Sequence, residues 1–104
     1  MIGLTRARED NRVVWLDWGT SLRGFKHIID GHFDHFAKAL GVYGEESIAR
    51  FILRALSRYQ TVRTYSGRFP GSIVYVYRFG RHYMHVVVVD DRCIITAYPV
   101  LRST

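Results

Sequence analysis

The 104-residue chain predicts an α+β domain in which two N-terminal helices pack on a four-stranded antiparallel meander sheet. Three observations carry that expectation. Apolar residues recur at helical spacing between Leu22 and Tyr59, they alternate with a period of two between Ser72 and Tyr98, and the dipeptides Gly80-Arg81 and Asp90-Asp91 interrupt that alternation at hairpin intervals.

Taken in order, residues 1–17 read as a charged and partly flexible lead-in, and 18–104 as the single domain. Within the lead-in, Arg12 to Trp18 holds two Trp and two Val and reads as a short strand or an anchoring segment. Thr20 and Ser21 are candidate N-caps for a helix reaching Leu40, with Leu22, Phe25, Ile29, Phe33, Phe36 and Leu40 as its apolar stripe. Gly31 is a candidate bend, and Gly41 to Gly44 is the stop. A second helix is expected over Glu45 to Tyr59. Its first turn is acidic, its apolar face runs through Ile48, Phe51, Ile52, Ala55, Leu56 and Tyr59, and Arg50, Arg54 and Arg58 line its outside. Thr61 to Ser66 alternates like a first strand, and Gly67 to Gly71 reads as a loop.

The last three strands are Ser72 to Phe79, His82 to Val89 and Arg92 to Tyr98. Two-residue turns between them fix a register: Tyr77 opposite Met84 and Tyr75 opposite Val86, then His85 opposite Thr96 and Tyr83 opposite Tyr98. Alternation then places Ile73, Tyr75, Tyr77, Met84, Val86, Val88, Cys93, Ile95 and Ala97 on a core side. The other side gathers Val74, Val76, Val87 and Ile94 at one end, and Arg78, Tyr83, His85, Thr96 and Tyr98 at the other. An arginine, an imidazole, a hydroxyl and two phenols form a site-like group, although cross-strand aromatic pairs on a wet sheet face look similar.

The net charge is +6, from 13 Arg and 2 Lys against 9 acids. Arginine's planar fork fits phosphate and stacks on bases, so this bias points towards nucleic acid. The lone Cys93 excludes an internal disulfide and a cysteine-based zinc site. No apolar run approaches the roughly 18 residues of a membrane span, so no membrane partner is expected.

Five histidines invite a chemical reading: His27, His32 and His35 on the first helix, His82 and His85 on the third strand. His32 and His35, at i and i+3, permit joint metal ligation, yet no further partner completes a shell, and no metal or cofactor is expected. No nucleophile elbow and no phosphate-cradling glycine loop is present. Metal-free cleavage of RNA remains. It needs a base for the 2′-hydroxyl, an acid for the leaving 5′-oxygen, and cations or hydroxyls around the phosphate.

Two short patterns then carry a resemblance. Gly24-Phe25-Lys26-His27-Ile28-Ile29-Asp30-Gly31-His32 is similar to the histidine helix, and Ile94-Ile95-Thr96-Ala97-Tyr98-Pro99 to the final strand, of small toxin nucleases. These are the group that unites barnase, EndoU, colicin and RelE. The likeness is greatest to the C-terminal EndoU-like and tRNase domains of contact-dependent inhibition and other polymorphic toxins. It spans roughly Trp18 to Val100.

The resemblance implies a metal-independent ribonuclease that cleaves RNA, often tRNA, by transesterification to a 2′,3′-cyclic phosphate. His32 and His27 match the helix histidines as acid and base, and Thr96 and Tyr98 the hydroxyls that bind phosphate or position the nucleotide. EndoU-like enzymes use a catalytic lysine, whose place Arg68 or Arg78 would take as the phosphate-binding cation. His85 has no assigned family role, and either replaces a helix histidine or hydrogen-bonds Thr96. The resemblance further implies delivery from a larger secreted toxin into the cytoplasm of a target cell, with neutralisation by a cognate immunity protein. The alternative expectation is a RelE- or ParE-like toxin-antitoxin component, paired with an antitoxin, or an RNA-binding module that acts without catalysis.

Overall fold

A computed structural model of the protein describes residues 1–89 and 92–101. The order of elements is β1 (Gly3–Arg6), β2 (Val13–Leu16), α1 (Phe25–Leu40), α2 (Glu45–Arg58), β3 (Arg63–Ser66), β4 (Ile73–Phe79), β5 (His82–Val88) and β6 (Ile94–Leu101). The chain is α+β as expected, and β3-β4-β5-β6 form the antiparallel meander. The helices are not its N-terminal elements, however. The segment expected as a lead-in is an antiparallel β1-β2 hairpin, whose turn uses Asn11 at a positive φ of 60°. Ala7, Val14 and Leu16 of this segment are buried in the main core. Gly3 sits so close to α2 that a Cβ there would lie 2.7 Å from Leu53 Cδ1. The hairpin turn is tied to the sheet through Asp10, which accepts hydrogen bonds from Tyr75 Oη at 3.0 Å and Arg92 Nη2 at 2.7 Å.

Helix α1 starts five residues after the expected Thr20 cap, for a backbone reason. The N–H groups of Phe25 and Lys26 donate to the carbonyls of Asp17 (2.9 Å) and Trp18 (2.7 Å), so the first turn needs no side-chain cap. Gly24, at φ 91°, makes this folding-back possible, because a Cβ would lie about 3.0 Å from the backbone of residues 17–19. Its own N–H donates to Ile95 O at 2.8 Å, which fastens the helix start to β6. Gly41 closes the helix in the left-handed conformation, where the sequence places the stop.

The helix continues unbroken through Gly31. Its buried line is Phe25, Ile28 and Phe36, while Phe33 is 37% exposed and Leu22, outside the helix, 86%. The apolar face is therefore rotated from the expected stripe, and His32 falls at i+4 between Ile28 and Phe36. A Cβ at Gly31 would meet nothing within 4 Å. Gly31→Ala should therefore raise the unfolding free energy by up to about 1 kcal/mol in urea titration, through helix propensity alone.

The β4-β5 register is the expected one, with Tyr77 opposite Met84 and Tyr75 opposite Val86. The Asp90-Asp91 turn lies outside the described residues. Beyond it, Ile94 pairs with Val88 but Thr96 pairs with Val87, so Ile95 is the extra residue of a β-bulge. This corrects two expectations. Ile94, not Ile95, enters the main core, while Ile95 joins Val74, Val76 and Val87 in a second apolar cluster on the far side of the sheet. Partners also shift by two, so His85 faces Tyr98, Val87 faces Thr96 and Tyr83 faces Val100. A shift of two preserves sidedness, and Thr96 and Tyr98 stay on the side of His85. Ile73, expected in the core, is 38% exposed near the sheet's margin. Among the described residues no helix is long and apolar enough to cross a membrane.

Candidate active site

On the far side of the sheet, small aliphatic residues lie beneath larger side chains: Tyr83 and Tyr98 pack against the Val74, Val76, Val87 and Ile95 cluster. Directly opposed on β5 and β6, His85 and Tyr98 stack with ring centroids 5.2 Å apart and planes 24° apart. From β3, Tyr65 reaches His85, its Oη 3.2 Å from Nδ1. The Arg63 guanidinium lies 5.3 Å from the Tyr65 ring centroid, within cation–π range.

Helix α1 runs along β6, the edge strand, and brings its histidines to the same place. The His32 ring lies 5.5 Å from that of Tyr98, so imidazoles from a helix and from a strand both rest against one phenol. His35 sits beside His32, with Nδ1 atoms 3.1 Å apart. His27 meets His32 edge-on at 6.0 Å, with the helix unbroken at Gly31 between them. Its Nδ1–H donates to Ser21 O at 3.0 Å, which leaves Nε2 as the nitrogen with a lone pair in the neutral ring.

Burial, together with the charges of His35 and His27, holds the His32 pKa below the ordinary 6.5. Burial and the Arg63 charge lower that of His85. Burial raises the Tyr98 phenol, assisted by Tyr65 and opposed by the Arg68 charge. Both imidazoles thus favour the neutral, proton-accepting form near neutrality, while the phenol keeps its proton. Thr96 Oγ1 is buried and has no hydrogen-bond partner among the described residues, so its donor and acceptor capacity is uncommitted.

The structure therefore brings together His32, His27, His85, Tyr98 and Thr96, and Arg68 acts on the same phenol. It does not bring in Arg78, which is exposed and donates from Nε to Gly80 O at 3.2 Å, turned back on its own hairpin. His85 is held by Tyr65 rather than by Thr96. Tyr65 and Arg63 are neighbours that the sequence did not mark as site residues, and His35, which it offered only as a metal ligand, joins them. Alternation in β3 puts Arg63 and Tyr65 on one side, but the loop over residues 67–72 is too long to fix which β4 residues they oppose. Among the described residues, no group of three or more His, Cys, Asp or Glu side chains is arranged to hold a metal ion.

Acidification should weaken the fold through His85. Its folded-state pKa is lowered, so below pH 6.5 the unfolded chain binds the proton that the folded ring resists, and stability falls until the folded pKa is passed. Asp10 adds a second loss at lower pH. Burial alone would raise its pKa, but hydrogen bonds from Tyr75, the Arg12 N–H and Arg92 outweigh that and hold it below 3.8. Unfolding free energies measured from pH 7.5 to 5 should decline, and less steeply in His85→Gln. An unchanged slope would contradict the placement of His85.

No protein-family model matches the chain, and no curated protein matches it.

Proposed function

We propose that this protein is a metal-independent endoribonuclease toxin domain that cleaves RNA, with tRNA the expected substrate, by transesterification to a 2′,3′-cyclic phosphate. The observation that carries the reading is the meeting of His32 and His85 on the ring of Tyr98, beside the uncommitted Thr96 hydroxyl. One imidazole takes the 2′-hydroxyl proton, O2′ attacks phosphorus, the P–O5′ bond breaks, and the second, protonated, imidazole supplies the proton to the leaving 5′-oxygen. Lowered imidazole pKa values suit the base role at neutral pH. The guanidinium of Arg68 serves the phosphate oxygens, where charge grows in the transition state. Tyr65 holds the His85 ring, and its exposed phenyl face stacks on a splayed base.

In this reading the partners are RNA and a cognate immunity protein. The excess of arginine that attracts a polyanion attracts an acidic inhibitor as well. The site of action is a target-cell cytoplasm, reached from a larger secreted toxin. A RelE- or ParE-like binder is the second reading, favoured by the exposed Tyr65 and Arg63 pair, which would hold bases and phosphates without any chemistry.

Purified protein and bulk tRNA in EDTA test the proposal. New fragments ending in a cyclic phosphate, paired with 5′-hydroxyl ends, are expected. RNA that is bound yet stays intact favours the binder.

A further inference from the structure

The proposed chemistry gives His32 a task and leaves His35 without one, yet the two rings are held together. Their Nδ1 atoms are 3.1 Å apart and their centroids 5.3 Å. Imidazole nitrogens come this close in two circumstances: one ring donates its N–H to the other, or both direct lone pairs at a shared cation. A cation bonded to each at about 2.0–2.1 Å separates its donors by roughly 2.9 Å at a right angle and roughly 3.4 Å at the tetrahedral angle. The observed separation falls between these limits. Both residues lie on one turn of a regular helix, so the backbone itself presets the pair.

We infer that His32 and His35 chelate a late first-row divalent cation, Zn²⁺ or Cu²⁺, through their Nδ1 atoms, and that the bound ion silences the proposed nuclease. Imidazole suits these ions, whereas Mg²⁺ and Ca²⁺ take oxygen ligands. With no third protein ligand converging among the described residues, solvent completes the coordination shell. Such an open, two-ligand site is one for exchange and control, unlike the closed four-ligand sites that hold folds together.

The silencing follows from the two nitrogens of one ring and rests on the catalytic role proposed for His32. With the ion on Nδ1, the remaining ring proton sits on Nε2. That nitrogen then has no lone pair with which to accept a proton. Releasing its proton would leave an imidazolate, so it is no acid at neutral pH either.

Calorimetric titration of the full chain with ZnCl₂ and with CuCl₂, without RNA, tests the chelate. One equivalent of ion is expected, copper binding more tightly than zinc. Affinity should fall at least tenfold in His35→Ala and stay unchanged in His82→Ala, whose histidine lies on β5. Equal binding by wild type and His35→Ala, or no binding below millimolar zinc, overturns the site. The tRNA cleavage rate with and without one equivalent of zinc tests the silencing. The wild type should slow at least tenfold and recover in EDTA, whereas in His35→Ala the ratio should stay near one. His35-dependent binding without loss of cleavage overturns the silencing. His35-dependent binding in a protein that cuts no RNA under any condition upholds the chelate and overturns the nuclease reading.

Discussion

His32→Ala is expected to cleave tRNA at least about a hundredfold more slowly than the wild type, within the 10²–10⁴ that a positioned acid or base contributes, while binding tRNA nearly as well. The side chain lies against the Tyr98 ring and, among the described residues, hydrogen-bonds only to His35, so its loss removes the proposed proton carrier and little packing. Circular dichroism and urea unfolding of the variant should therefore match the wild type closely. His85→Ala should lose a comparable factor. The double variant should be scarcely slower than either single one, because acid and base act within one concerted event. Wild-type cleavage by His32→Ala would remove the imidazole pair from the mechanism, whatever other residues surround the phosphate.

Phe36→Ala carries the largest expected effect on stability, about 3–5 kcal/mol, read from the urea midpoint. The side chain is fully buried on the inner line of α1, in one cluster with Ile28, Ile52, Leu56 and Met84. A loss of that size is a large fraction of the roughly 5–15 kcal/mol that holds a domain of this kind together. Phe33→Ala, three residues earlier and 37% exposed, should cost well under half as much. The pair of variants thus measures the rotation of the helix directly. Because α1 carries His27, His32 and His35, Phe36→Ala should also reduce cleavage, but only in proportion to the unfolded fraction. Urea and temperature should then move its activity and its circular dichroism together, a coupling that His32→Ala must not show.

Much of the site could be read from residue order, for a specific reason. In a strand the side-chain period is two, so a hairpin with a Gly80-Arg81 turn decides which residues share a side. The grouping of His85, Thr96 and Tyr98 survived because Val88 already faces Ile94 rather than Cys93, a shift of one residue, and the bulge at Ile95 adds a second, two in all. Arg78 satisfies the same alternation and still lies apart from the histidines, since sidedness does not fix position along the strand or the rotamer of a long side chain. For the helix, counting apolar residues placed Phe33 inward, whereas the packing leaves it 37% exposed with His32 half-buried beside it. A stripe that includes Leu22 assumes that the helix begins near Thr20. It begins at Phe25, because carbonyls of the preceding segment cap it.

What the amino-acid order determined by itself is local: two helices, alternating strands, a tight Gly80-Arg81 hairpin, and the side of the sheet on which an imidazole, a phenol and a hydroxyl appear. What only the tertiary structure decided is how separate elements meet: the hairpin built from residues 3–16, the rotation of α1, the bulge at Ile95, and the approach of β3 that gives His85 its partner Tyr65. The physical reason is range. Backbone periodicity acts over a few residues, whereas rotation and register are set by which side chains escape water and which N–H groups find carbonyls, and those partners lie far away in the chain.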